Sequence, residues 1–453
     1  MGFYTSIRAY NRGMINMPSL LEPRLQRRYG QLVAEHLSPT QQIAAGLRSL
    51  PGITSSFASA QAAWRFFSNE DVELPTLAQP LLAHAREAVT RDCQRFALVV
   101  HDWSFLSYNG HEAKKDRVAL SSKKDLGYEL HSALVVSDQG DPLAPVHLSL
   151  RAKDGVHSTA TQQVEPAPSQ LDGLGPVMER VRGLGWTKAI VHIIDREADS
   201  VAHYRAWDQA GHRFLVRADN NRLVEHEGAE CSLSKIPAWL RRRGLFRETR
   251  PVLYHGQATR QWVAEATIRL TRPAKPHRRD GKPRRTVPGK PLTLRLVVTE
   301  VRTDAGHVLA RWLLLTNMPS EVSAADIALW YYWRWRIESY FKLLKSAGHH
   351  LEQWQQETAA ALARRLLVAA MACVVVWQLE RSKEPAAAPI RDLLVRLSGR
   401  QMKRKRPVTA PALLAGLWTL LSMLQVLEHY DLSELRDLAQ QAGLGVFVKR
   451  KVV

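Results

Sequence analysis

Phe96-Ala97-Leu98-Val99-Val100-His101-Asp102 runs an apolar stretch into a histidine and an aspartate, and Ala189-Ile190-Val191-His192-Ile193-Ile194-Asp195 does the same further along the chain. Short, continuous apolar runs rich in β-branched residues belong to strands buried on both faces. Each stretch therefore predicts a core strand with a carboxylate at its end, the first strand ending at His101-Asp102 and the second running into Asp195. Around them, Leu130 to Val136, the Asp138-Gln139-Gly140 turn and Val146 to Leu150 read as an antiparallel hairpin. Ser169 to Leu184 reads as a helix closed by Gly185, Ala198 to Ala210 as a second helix, and Arg213 to Val216 as a further strand. The fold class expected is α/β with a mixed sheet.

The flanks read differently. Residues 1–80 carry helical patterning broken by turn signals: Leu20 to Leu37, Ser38-Pro39 opening a helix to Leu50, then Ser59 to Phe67. They predict an N-terminal helical domain whose arginines, Arg65 among them, either face a nucleic-acid backbone or form a solvated helix face. Residues 81–375 form the expected catalytic domain, with a β-rich insertion over about 220–311. Within it, Val263 to Leu270 and Leu292 to Val301 alternate as hairpin strands around Arg272 to Lys290, which holds eight Lys or Arg residues against Asp280 alone. Its prolines prevent a helix. Ser323 to Ser346 and Thr358 to Leu379 read as helices, and residues 376–453 as a C-terminal helical domain containing Lys403-Arg404-Lys405-Arg406.

Composition narrows the function. Lys plus Arg is 63 against 43 for Asp plus Glu over 453 residues, a formal charge of +20 that calls for a polyanionic partner. With 45% hydrophobic residues the chain can build large cores, which sets it apart from a disordered basic tail. The apolar run Leu366 to Leu379 is shorter than the roughly 20 residues of a spanning helix, so a buried helix is expected and a membrane is not. The N-terminal residues lack an apolar export segment. The odd set Cys93, Cys231 and Cys373 has no metal-ligand spacing and suits a reducing cytoplasm.

Asp102 and Asp195 at strand ends, with Glu338 on a long helix, make three carboxylates, the ligand set of a two-metal phosphoryl-transfer site. Either aspartate alone would equally serve as a cap or turn residue. On an ideal helix Tyr331, Arg334, Glu338 and Lys345 fall within a sector of about 60° along roughly 21 Å. That stripe suits a carboxylate for metal flanked by phosphate-binding cations; the competing reading is an Arg334–Glu338 salt bridge on a solvated face.

The spacing Tyr331-x-x-Arg334-x-x-x-Glu338-x-x-x-x-x-x-Lys345 resembles the Tyr-Arg-Glu-Lys signature of bacterial cut-and-paste insertion-sequence transposases, the IS-four group that includes the Tn-five type. His101-Asp102-Trp103-Ser104-Phe105-Leu106-Ser107-Tyr108 and Ile193-Ile194-Asp195-Arg196-Glu197-Ala198-Asp199-Ser200 resemble that family's two catalytic aspartate blocks. The likeness covers about residues 25–375. It implies an RNase H-like mixed-sheet core with a β-rich insertion, flanked by helical domains. It further implies that Asp102, Asp195 and Glu338 are catalytic and bind two Mg²⁺, for which Mn²⁺ substitutes. Tyr331, Arg334 and Lys345 would grip phosphates near a flipped nucleotide, Trp312 would stack on that base, and Arg217 and Arg65 would contact DNA. For Trp312 a strand's core Trp is the plainer alternative.

The resulting expectation is a DNA transposase that binds terminal inverted repeats, nicks to a 3′-hydroxyl, forms and opens a hairpin, and transfers the strand. Its partners would be double-stranded DNA and, in the synaptic complex, a second copy of the chain, with no organic cofactor. Its place would be the bacterial cytoplasm at the nucleoid. A metal nuclease of RNase H-like fold without strand transfer, or a retained transposase serving as a DNA-binding protein, are the alternatives. In this reading the basic segments at 241–250, 272–290 and 403–406 supply salt-dependent affinity for DNA.

Overall fold

The computed structural model describes residues 22–37, 56–161, 163–167, 169–274, 286–400 and 408–442. Its strands, in chain order, are β1 (Phe96–Ser107), β2 (Val118–Ala119), β3 (Leu126–Ser137), β4 (Pro142–Ala152), β5 (Gly155–Ser158), β6 (Gln163–Val164), β7 (Ala189–Ile194), β8 (Phe214–Arg217), β9 (Leu223–His226), β10 (Ala229–Ser232), β11 (Arg247–Tyr254), β12 (Gln257–Leu270), β13 (Leu292–Arg302) and β14 (Val308–Thr316). They join one mixed sheet in the order β10-β9-β12-β13-β14-β8-β7-β1-β3-β4-β5-β6, with β11 beside β12 and β2 beside β3. Two compact units are built on this chain: Ala78–Phe105 with Gly127–Ser339, and Met1–Leu77 with Leu106–Leu126 and Tyr340–Val453.

In the first unit, β1 and β7 are parallel, as are β7 and β8. Ala97, Leu98, Val99 and Val100 are fully buried, as their apolar run requires. The hairpin β3–β4 is antiparallel and turns through residues 138–141. A helix at Gln170–Arg182 is capped by Ser169, whose side chain accepts from the Asp172 amide. A second helix, Val201–Gln209, seals the other end of the core, where Tyr204 stacks on Phe214 at 5.3 Å and Trp207 closes over them. Two boundaries differ from expectation. β1 continues through Asp102 to Ser107, because Trp103, Phe105 and Leu106 keep the extended, alternating pattern. The second helix starts later than Ala198, since Asp195 accepts from the Arg196 amide and opens a short 3₁₀ turn over Arg196–Ala198.

The long antiparallel pair β12–β13 runs in register from Arg260↔Arg302 to Leu270↔Leu292. β14 pairs antiparallel with both β13 and β8, tying these strands into the central sheet. Much of the basic segment between β12 and β13 lies outside the described residues; at its start, Arg272 pairs with Glu230 at 2.7 Å.

The expected helix from Ser323 to Ser346 is two helices, Ala324–Trp333 and Trp335–Leu344, meeting at Arg334. The cause is a tightened turn: the Arg334 amide bonds to Tyr331 O at 3.1 Å and the Ile337 amide to Arg334 O at 3.1 Å, both three residues back. Glu338 nevertheless keeps its i,i+4 pairing with Arg334 across the break, at 2.8 Å.

Among its described residues the second unit is mainly helical, with β2 as a short strand. Its axis is Ala359–Arg381, capped by Thr358 and buried almost all round. This helix is long and apolar enough to cross a membrane, yet 94% of its apolar window is buried inside the protein, as expected of a core helix. Its buried Arg364 donates to Val72 O at 2.7 Å and Phe67 O at 3.0 Å, tying it to the end of the helix Ser56–Ser68. Arg365 donates to Gln356 Oε1 and lies over the Trp354 ring. The helix predicted from Ser38 to Leu50 and the run Lys403 to Arg406 lie outside the described residues.

Candidate active site

Strand register alone brings the two aspartates together. His101 on β1 pairs with Ile194 on β7, so Asp102 and Asp195, each the next residue, stand side by side where β7 ends. Ile194 in turn pairs with Val216 on β8, which sets Arg217 level with Asp195. Alternation along β1 then sends Asp102 and His101 to opposite faces.

Glu338 joins them from the first turn of the helix Trp335–Leu344, and Arg334 lies among all three carboxylates. Its guanidinium reaches Glu338 Oε1 at 2.8 Å, Asp102 Oδ2 at 3.4 Å and Asp195 Oδ2 at 3.5 Å. Arg334 is only 5% exposed. It is therefore a buried counter-cation shared by three acids, and the solvated i,i+4 pair of the plainer sequence reading does not describe it. Tyr331 adds a neutral donor, its hydroxyl bonding to Asp195 Oδ1 at 2.8 Å.

These partners separate the carboxylates electrostatically. Burial, reinforced by Asp195 and Glu338, pushes Asp102 up to about 6 against the pull of Arg334 and the Trp103 amide. Burial also raises Asp195, but Arg334, the Arg196 amide and the Tyr331 hydroxyl outweigh it and hold that carboxyl below its ordinary value. Glu338 is raised, chiefly by burial. The Tyr331 phenol is raised by burial and by Asp195, so it remains a proton donor.

An all-carboxylate donor set is the chemistry of a hard divalent cation, and these three acids already share one positive group. As arranged, no group of three or more His, Cys, Asp or Glu side chains among the described residues is placed to hold a metal ion. The residues fit such an ion in donor type and charge, with the Arg334 guanidinium competing for the same oxygens.

Residues 97–375, more than half of the chain, match the family model described as Transposase DDE domain. The chain belongs to that family. Comparison with curated proteins finds no match. Among solved structures, the transposase is similar to one titled "Cryo-EM structure of piggyBac transposase synaptic complex with hairpin DNA" at 9% identity and a TM-score of 0.36, covering 94% of this chain and 76% of that one.

Beside the carboxylates, the transposase has a hollow of about 770 Å³ that reaches Tyr331 and Arg217 and is walled by Tyr254, Trp312, Tyr332 and Trp335. Trp312, on β14, is half-buried and meets Tyr254 edge-on at 6.3 Å, so it faces this hollow. Lys345 and Arg65 belong to the other compact unit. There Lys345 pairs with Glu352 at 3.0 Å, and Arg65 is exposed near the end of the helix Ser56–Ser68.

Sequence reasoning passed over several residues. Arg336 donates to Gly140 O at 2.8 Å, fixing the helix that carries Glu338 to the β3–β4 turn. On the far face of the sheet, His131 stacks near His101 and packs against His147, and His101 bonds to His192 at 2.9 Å. Burial drives all of them well down from the ordinary histidine value, so this file of rings is neutral. The visible signal was a histidine inside each of several apolar strands.

Proposed function

We propose that this transposase is a cut-and-paste enzyme of the insertion-sequence type, acting on the terminal inverted repeats of its own element. Its core is read as RNase H-like because β4-β3-β1-β7-β8 are neighbours in that order and β1, β7 and β8 run parallel. The observation that carries the function is the gathering of Asp102, Asp195 and Glu338, from two strand ends and a helix, about one buried guanidinium.

Asp102, Asp195 and Glu338 are proposed to hold two Mg²⁺, with Mn²⁺ able to substitute. When bound, these ions supply Lewis-acid activation of the attacking oxygen and stabilise the leaving oxygen. The chain's own groups do the rest. Tyr331 orients Asp195 through its hydroxyl. Arg334, freed from part of its carboxylate contacts, binds a phosphate bidentately. Arg217 and Lys345 bind neighbouring phosphates, and Trp312 offers a stacking face to a base turned into the hollow. Arg65 contacts the transposon end, the C-terminal helices pair two copies in the synaptic complex, and the work is done on nucleoid DNA in the cytoplasm. Nicking, hairpin formation, hairpin opening and strand transfer then use one site in succession.

The test uses DNA carrying the element's terminal inverted repeats. Asp102→Asn, Asp195→Asn and Glu338→Gln proteins are expected to bind it as the unmodified protein does while losing Mg²⁺-dependent nicking. Cleavage retained by any one of them overturns the site. Joining of a pre-cut end to plasmid separates a transposase from a plain nuclease, which only hydrolyses.

A further inference from the structure

A second charged cluster lies outside the carboxylate site. Glu300 on β13 is fully buried, and its two oxygens accept from three arginines. Arg241, from the helix Ile236–Arg242, donates Nη2 to Oε1 at 2.7 Å. Arg311, paired in register with Glu300 across β13–β14, donates Nε to Oε1 at 2.7 Å. Arg302 donates Nε and Nη2 to Oε2 at 2.9 and 2.6 Å.

The three arginines are not equivalent. Arg302 uses two nitrogens on Glu300 and lies between the rings of Phe246 and Trp262, at 4.7 and 4.6 Å; its side chain is 13% exposed. That is a structural partner sufficient to neutralise one carboxylate. Arg241 and Arg311 each spend a single nitrogen on Glu300, and their side chains are 48% and 36% exposed. Among the described residues their remaining N–H groups engage no protein acceptor. Burial raises the Glu300 carboxyl, but the hydrogen bonds from Arg302, Arg311 and Arg241 outweigh it and keep the group ionised. One negative charge and three positive ones leave a fixed surplus of two positive charges, borne by two half-exposed guanidiniums whose positions are set in advance.

Guanidinium forks held in place with spare donors match the paired oxygens of a phosphodiester. Arg311 also walls the same hollow as Arg217 and Tyr331, so the cluster continues a row of cations that starts beside Asp195. We propose that Arg241 and Arg311, templated by Glu300, form a second phosphate-binding site that holds the sugar-phosphate backbone of DNA leading away from the carboxylates. This inference rests on the transposase reading above and adds the path of the strand.

The experiment measures binding of the full chain to a fluorescent DNA duplex of arbitrary sequence in Ca²⁺, by anisotropy over a salt series. Arg241→Gln/Arg311→Gln is expected to weaken binding at least tenfold at low salt and to flatten the slope of log K against log salt by about 1.8, two phosphates' worth. Arg182→Gln/Arg213→Gln, which removes the same charge elsewhere in this unit, should leave the slope nearly unchanged. Glu300→Gln discriminates further: it raises the net charge by one, yet with the template lost it should bind DNA more weakly. Should a glutamine variant fail to fold by circular dichroism, Arg241→Lys/Arg311→Lys keeps the charge and the Glu300 pairing but loses the forks, and a roughly threefold loss is expected. Equal slopes for the two double glutamine variants, or undiminished binding by the lysine variant, overturn the site. Tighter binding of an RNA of the same sequence overturns the assignment to DNA. If the unmodified protein binds no DNA at all, the transposase reading itself has failed.

Discussion

The Tyr331 hydroxyl donates to Asp195 Oδ1 at 2.8 Å, joining residues 136 positions apart in the chain. It is one of the groups that lower Asp195 against the effect of burial. A hydrogen bond to a charged group contributes about 1.5–3 kcal/mol, and a unit of pKa corresponds to about 1.4 kcal/mol. Tyr331→Phe should therefore raise the Asp195 carboxyl, read directly by its ¹³C NMR titration, while the acid limb of cleavage, set by Asp102 at about 6, stays in place. An Asp195 titration unchanged by the substitution would show that the hydroxyl serves another group.

Arg334 places one positive charge among three carboxylates from a buried position, so its loss leaves three acids facing one another with no shared cation. Removing one member of a buried ion cluster costs about 3–5 kcal/mol. Arg334→Ala should lower the free energy of unfolding by that order, read by urea denaturation. Arg334→Lys should recover only part, because an ammonium cannot reach three carboxylates with a planar fork. Since the guanidinium competes for carboxylate oxygens, Mn²⁺ should raise the melting temperature of Arg334→Ala more than that of the unmodified protein. Equal shifts would contradict the competition.

Much of this site could be read in advance because strands translate sequence into space simply. Two apolar runs ending in aspartate, placed parallel with His101 opposite Ile194, bring Asp102 and Asp195 together with no further information. The helix was less readable. Ideal geometry put Tyr331, Arg334, Glu338 and Lys345 on one stripe, but a tightened turn at Arg334 breaks the helix, and Lys345 pairs with Glu352 instead. No Gly or Pro marks Trp333-Arg334-Trp335 as a break, and it shows only in the backbone bonds three residues back at Arg334 and Ile337. The Glu300 cluster was invisible for a related reason: Arg241 lies far from β13 and β14 in sequence, and its partner is chosen only once the sheet is assembled.

Gly140 occupies a left-handed conformation with φ +93, and a Cβ there would sit 2.5 Å from Cε2 of Trp333. The same turn accepts Arg336 at Gly140 O. Gly140→Ala adds backbone strain and a clash that displaces the residue next to Arg334, at a cost of about 1–3 kcal/mol. Stability should fall by that amount and cleavage should fall further than the stability loss explains. Combining it with Trp333→Leu, which opens space, should recover part of both, giving a coupling energy in a double-mutant cycle. Strict additivity would show that the clash relaxes without moving the helix.

His147, buried on β4 beside His131, is pushed down to about 3 by burial, with Arg180 adding to the effect. In the unfolded chain a histidine titrates near 6.5. Above that value both states are neutral and the group contributes no pH dependence. As pH falls below about 6.5 the unfolded chain takes up a proton that the folded protein refuses, so stability declines by about 1.4 kcal/mol per pH unit until pH nears 3. Asp102, raised to about 6, works in the opposite direction below that pH, so the histidine effect is best measured as a difference between variants. His147→Gln removes one such proton. Its unfolding free energy, followed by urea titration from pH 7 to 5, should fall less steeply than that of the unmodified protein by about 1.4 kcal/mol per pH unit below 6.5. Parallel curves for the two proteins would mean that His147 accepts its proton in the folded state.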